Sequence, residues 1–220
     1  MKENYDLILF DLDGTLTDSG EGITKSVQYA LSKYGIEEPD LGRLTKFIGP
    51  PLIDSFMKYY GFSKEEAILV RNAFSERYQP IGWKENKPYD GIENVLEALK
   101  ESGKLLGIAT SKPTDLAVRV LEHFDLIQYF PIICAAPLNG LGAEKAGRIQ
   151  AAMEEAKALG WEVKNPIMVG DTLFDVEGAH QCHIPCVGVA WGFAAEGEFE
   201  RCHADFVVHT MEELTEILMK

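Results

Sequence analysis

The sequence has no long hydrophobic run behind a basic one. Asp6, Asp11 and Asp13 interrupt the apolar stretch near its start, so neither a secretory leader nor a membrane span is expected. Cysteine is sparse. The four, at 134, 182, 186 and 202, are too few and too irregularly spaced for a disulfide framework in 220 residues, and reduced thiols in a cytoplasm are expected. His180, Cys182, His183 and Cys186 have a spacing that resembles a metal site. They straddle a helix end and the next strand, which favours plain packing. Basic residues are also in short supply, 21 against 35 acidic, and a net charge of −14 speaks against a nucleic-acid polymer as partner. Repeats and low-complexity tracts are absent, and GLGAEKAG lacks the GxxxxGK[ST] spacing of a Walker loop.

What is present is material for a real core. A chain of this length can bury roughly 70% of its unfolded surface, and 46% of its residues are hydrophobic. Short apolar runs at 5–10, 105–109, 132–135, 166–169 and 185–189 read as buried parallel strands. Between and after them, 91–102, 115–124, 144–159, 174–182 and 211–219 carry apolar residues at helical spacing. Strands alternating with helices predict an open α/β sheet covered on both faces. The alternation fails once. Residues 22–34, 52–60 and 63–78 are all helical in pattern, with breaks at Gly35, Pro39, Gly49-Pro50-Pro51 and Gly61. The expected architecture is therefore a Rossmann-like parallel-sheet core, 1–17 and 88–220, with an inserted α-helical cap domain at 18–87.

Ligands of open α/β sheets sit beyond the C-terminal strand ends. There this sequence places Asp11 and Asp13, then Thr110, Ser111 and Lys112, then Asp171, Thr172 and Asp175. In an extended segment Asp11 and Asp13 leave the same face and repel each other. A hard cation would remove the repulsion, and with Asp171 the set of Asp11, Asp13 and Asp171 suits Mg²⁺. Gly14 would let backbone N–H groups approach a phosphate. Each piece has a plainer meaning as well: DxD as a strand-end turn, Asp175 or Thr110 as a helix cap, Lys145 as a solvated charge. Their joint occurrence at the ends of separate elements favours a site. Lys112, beside the second cluster, competes with Lys145, which opens the helix after the third strand; position favours Lys145.

FDLDGT, IATSKP, a lysine near a helix start and VGDTLFD together resemble the four ordered motifs of the haloacid dehalogenase superfamily, in its magnesium phosphatase branch with a helical C1-type cap. The resemblance implies a phosphomonoester hydrolase that works through an aspartyl-phosphate. Asp11 would be the nucleophile, Asp13 the general acid and then base, and Lys145 the neutralising cation. Leu12, Asp13, Thr110, Ser111 and Lys145 would bind the phosphoryl group, Asp171 would ligate Mg²⁺, and Asp175 would be the second acidic residue of the metal motif. KPYDGIENVLEALKESG, ATSKP and VGVAWG are similar to the 5′-nucleotidase-like and phosphoglycolate phosphatase-like group. The sequence departs from that group at Asn139-Gly140, where Asp-Gly is expected, and in GDT where GDR is frequent.

A small phosphorylated metabolite is thus the expected partner, with neither a nucleic-acid polymer nor a membrane, for a monomer or small homo-oligomer. A nucleoside 5′-monophosphate suits the aromatic and basic cap residues Phe47, Phe56, Tyr59, Tyr60, Lys46 and Lys58, unless those rings pack the cap itself. Phosphoglycolate phosphatase, pyrophosphatase and phosphosugar mutase are the alternatives on the same fold, and an inactive binding module is the alternative of another class.

Overall fold

The computed structural model describes residues 4–137 and 144–220. The chain forms two compact units, one of Met1–Thr17 with Pro88–Lys220 and the other of Asp18–Lys87.

The first unit is built on a six-stranded parallel sheet. Its strands are β1 (Leu7–Phe10), β4 (Leu105–Pro113), β5 (Ile132–Ala136), β6 (Pro166–Gly170), β7 (Cys186–Val189) and β8 (Phe206–Val208), in the order β5-β4-β1-β6-β7-β8. β2 (Thr17–Asp18) and β3 (Lys87–Pro88) form a separate two-stranded ribbon. All four residues of β1 are fully buried, as a strand with neighbours on both sides and helices on both faces requires. Leu7 and Leu9 join Met168, Ile149, Ala152, Val176 and Ala179 in one apolar cluster. That cluster packs α6 (Lys145–Ala158) and α7 (Leu173–Gln181) against the sheet. Ile8 and Phe10 alternate to the other face, where Phe10 meets the edge of Phe130 with ring centroids 6.0 Å apart. Also in this unit are α4 (Ile92–Glu101), α5 (Thr114–His123), α8 (Glu198–Cys202) and α9 (Met211–Leu218).

Two details position the site. In register, Phe10 lies level with Ile108 of β4 and Val169 of β6, so three central strands reach one line together. The chain fills β4 and β5 on one side of β1 before crossing to β6 on the other, which makes the β1/β6 junction the topological switch point. β4 also continues past that line. Thr110, Ser111 and Lys112, expected just beyond a strand end, remain in the strand, with a register shift against β5 between Ala109 and Pro113. β1 no longer flanks them there, while Pro113 still pairs with Ala136 of β5. β8 was not foreseen, being three residues long and partly exposed.

The second unit is helical: α1 (Gly20–Ser32), a 3-10 segment (Leu41–Phe47), α2 (Leu52–Tyr60), α3 (Lys64–Tyr78) and a short 3-10 turn (Gly82–Lys84). α3 starts with a capping box in which Ser63 Oγ accepts from Glu66 N at 3.2 Å and Glu66 Oε2 accepts from Ser63 N at 2.8 Å. Phe47 and Phe56 are fully buried, their rings 4.9 Å apart, and each contributes about 1.5–3 kcal/mol of burial. They are core of this unit, so their faces are closed to a ligand. Tyr59 is exposed, with Lys46 4.3 Å and Lys58 5.3 Å from its ring centre.

Candidate active site

The crevice at the β1/β6 junction is lined from four elements. β1 stops at Phe10, and Asp11 N still donates to Val169 O at 2.9 Å. The chain then turns tightly, because the Leu12 carbonyl accepts from the N–H groups of Leu16 at 3.0 Å and Thr17 at 3.1 Å. Asp11 and Asp13 therefore do not share a direction as they would in an extended strand. Asp11 Oδ1 lies 2.9 Å from Lys145 Nζ. The Asp13 carboxylate lies 2.8 and 2.7 Å from Lys112 Nζ. Both lysines that competed in the sequence reach this group of carboxylates, Lys145 at Asp11 and Lys112 at Asp13.

Lys145, the first residue of α6, sits between two carboxylates, with Asp175 Oδ1 at 2.8 Å on its other side, and donates to Ala109 O at 3.1 Å. Asp175 Oδ2 accepts from Asp171 N, Thr172 N and Thr172 Oγ1 at 3.0–3.1 Å. Asp175 thus makes both contacts: one oxygen closes the start of α7, the other faces the lysine. Asp171 is fully buried, and its oxygens accept from Thr15 Oγ1 at 3.3 Å and Phe193 N at 2.9 Å. Thr110 is buried and accepts from Lys112 N at 3.2 Å, while Ser111 is half-buried between them.

Crowding on this scale needs missing side chains. A Cβ on Gly14, whose φ is +84°, would stand 2.0 Å from Asp171 Oδ2, and one on Gly170 would stand 2.1 Å from Asp175 Cγ. Only glycine admits those approaches.

Carboxylate oxygens of Asp11, Asp171 and Asp175 lie within 4.8 Å of one another, the only such acidic, histidine or cysteine group among the described residues. Four carboxyl groups, counting Asp13, outnumber the two ammoniums of Lys112 and Lys145 by two formal negative charges in a buried site. Burial, together with the charges of Asp175 and Asp11, pushes the Asp171 carboxyl well above the ordinary aspartate range. Burial raises Asp175 as well, against the pull of Lys145. Burial would lower Lys145, but Asp11 and Asp175 outweigh it and hold the ammonium above its ordinary value. Asp11 Oδ1 and Asp175 Oδ1 are buried and make no hydrogen bond of ordinary geometry, although each is within ion-pair distance of Lys145. Hard oxygen donors, free lone pairs and two surplus negative charges fit a divalent cation.

Sequence reasoning had no role for Thr15, Trp191 or Phe193. Thr15 lies inside the quoted FDLDGT, and Trp191 Nε1 donates to its carbonyl at 3.2 Å. Phe193 acts through its backbone N–H, which leaves no trace in residue type. Asn139-Gly140 and the rest of the approach to Lys145 as far as Ala143 lie outside the described residues. The cysteine and histidine group is dispersed among other partners. Cys186 is in the core, Cys182 Sγ contacts Ala146 O at 3.3 Å and His180 pairs with Asp205 at 3.0 Å.

A parallel α/β sheet with a carboxylate and lysine cluster at its switch point is an arrangement suited to handling a phosphoryl group. Residues 8–189 match the family model described as haloacid dehalogenase-like hydrolase, and the chain belongs to that family. It is 43% identical over 199 residues to a 5′-nucleotidase of Pseudomonas aeruginosa, covering 90% of this chain and 88% of that one. It is 36% identical over 219 residues to the tyrosine-protein kinase PtkA of Mycobacterium tuberculosis, covering 98% of this chain and 73% of that one. Among solved structures, a "predicted phosphatase" from Clostridium acetobutylicum is similar with a TM-score of 0.91 and 44% identity, over 96% of this chain and 97% of that one.

Proposed function

We propose that this enzyme is a Mg²⁺-dependent phosphomonoesterase that carries the phosphoryl group on Asp11 and takes nucleoside 5′-monophosphates as substrates. The observation that carries the chemistry is the pairing of each aspartate with its own lysine beside a second acidic cluster. Asp11, Asp171 and Asp175 would hold Mg²⁺, which supplies positive charge to the phosphoryl oxygens when bound.

In the first step an Asp11 carboxylate oxygen bonds to phosphorus, the bond from phosphorus to the leaving oxygen breaks, and Asp13 gives that oxygen its proton. In the second, water bonds to phosphorus and loses a proton to Asp13, while the bond between phosphorus and Asp11 breaks and inorganic phosphate leaves. Lys145 would offset the charge on Asp11 throughout, and Thr110 and Ser111 would donate to phosphoryl oxygens. The nucleotide preference is supported by the relative named 5′-nucleotidase, which matches along nearly all of both chains.

The test is a substrate panel at fixed Mg²⁺, with kcat/KM for several nucleoside monophosphates, phosphoglycolate, pyrophosphate and hexose phosphates, and with phosphoryl transfer from ATP to a tyrosine peptide assayed alongside. Nucleoside monophosphates are expected to lead. A lead for phosphoglycolate or pyrophosphate refutes the nucleotide assignment, and interconversion of hexose phosphates without phosphate release makes the enzyme a mutase.

A further inference from the structure

We propose that Lys112 is the positioning residue of Asp13, fixing the direction of its carboxylate toward the leaving oxygen; this rests on the acid/base role assigned to Asp13 above. The two Asp13 oxygens lie almost equidistant from Lys112 Nζ, at 2.8 and 2.7 Å, and the side chains are 12% and 3% exposed. A two-point contact of this kind restrains both torsions of the aspartate. Lys112 reaches Asp13 because β4 continues past the end of β1, and because residues two apart in a strand share a face. Thr110 thus stands beside it on the crevice side, and its hydroxyl accepts from Lys112 N.

The consequence is a division of labour between aspartates only two residues apart. Asp11 joins Asp171 and Asp175 within 4.8 Å, whereas Asp13 is not in that group. Without Lys112 the buried Asp13 carboxylate loses the contact that sets its direction. It would then be a poor proton donor to a leaving oxygen.

The test exploits leaving groups. kcat/KM reports events through the first phosphorus–oxygen cleavage, where a poor leaving group needs the proton and a good one does not. In Lys112→Met, kcat/KM for a nucleoside 5′-monophosphate is expected to fall on the order of 100-fold, and that for 2,4-dinitrophenyl phosphate by less than about 5-fold. Lys112→Arg should recover part of the loss, and Lys112→Gln carries the same comparison if the Met variant does not fold. Equal loss on both substrates assigns Lys112 to phosphate binding or to the fold and overturns the proposal, as does no loss on either. Asp13→Asn is measured in parallel. A steep leaving-group dependence there with a flat one in Lys112→Met refutes the Lys112 role alone. Flat behaviour in both removes the acid role of Asp13, and the proposal with it.

Discussion

Lys145→Met removes the one cation shared by two buried carboxylates, and its effect can be worked out from the structure. The ammonium is 3% exposed and stands 2.9 Å from Asp11 and 2.8 Å from Asp175, which are 5% and 0% exposed. Methionine keeps the volume of the stem and drops the charge, leaving three carboxylates within 4.8 Å without the ammonium between Asp11 and Asp175. Breaking a buried pair from one side costs about 3–5 kcal/mol. At about 2–4 °C per kcal/mol for a chain of this size, the melting temperature should fall by roughly 6–20 °C in EDTA. Mg²⁺ should restore part of that, up to about 2.7 kcal/mol at a hundredfold excess over its Kd. Differential scanning calorimetry of wild type and variant, each with EDTA and with Mg²⁺, reads both quantities. A variant as stable as wild type in EDTA would refute the charge count, and one that keeps wild-type turnover would remove Lys145 from the mechanism.

Asp11→Asn should lose on the order of 10⁴-fold or more of turnover while folding normally, and labelling with a phosphorylated substrate should leave the variant unmarked. Wild-type protein in EDTA should lose stability as pH rises. Asp171 binds its proton more tightly folded than unfolded, so its contribution is complete below the ordinary aspartate value, about 3.9, and disappears as pH climbs through the raised folded one. Melting curves at a series of pH values check this, and Mg²⁺ should flatten the trend. Gly14→Ala meets Asp171 at 2.0 Å and a φ of +84°, so it should cost about 1–3 kcal/mol and weaken Mg²⁺ binding measured by calorimetric titration. Replacing Cys182 and His183 together should leave turnover unchanged, since neither touches the acidic cluster.

The parallel core was legible because buried parallel strands are written as short continuous apolar runs, and LILF of β1 is as plain as such a run can be. β8 was not, since Phe206, Val207 and Val208 are too few for any period to emerge. At the site, residue types at strand ends pointed to Asp11, Asp171 and Asp175, and a helix start in the family's motif order pointed to Lys145. They did not suffice to aim them. The direction of Asp13 depends on the turn around the Leu12 carbonyl and on the continuation of β4 to Pro113, neither of which changes composition. The burial of Phe47 against Phe56 was likewise undecided, because an aromatic residue on a helix reads the same whether it lines a cleft or fills a core.

The central place of β1 has a consequence for biosynthesis. Both of its neighbours, β4 and β6, come from far later in the chain. While a ribosome is still making the segment before residue 166, Leu7–Phe10 has at least one open edge, and its unpaired backbone and apolar side chains are the kind of surface that pairs with other chains. The helical unit at Asp18–Lys87 is complete long before that, and its contacts are local. Co-translational folding should therefore begin in the insertion, and the strand made first should be among the last to find its partners.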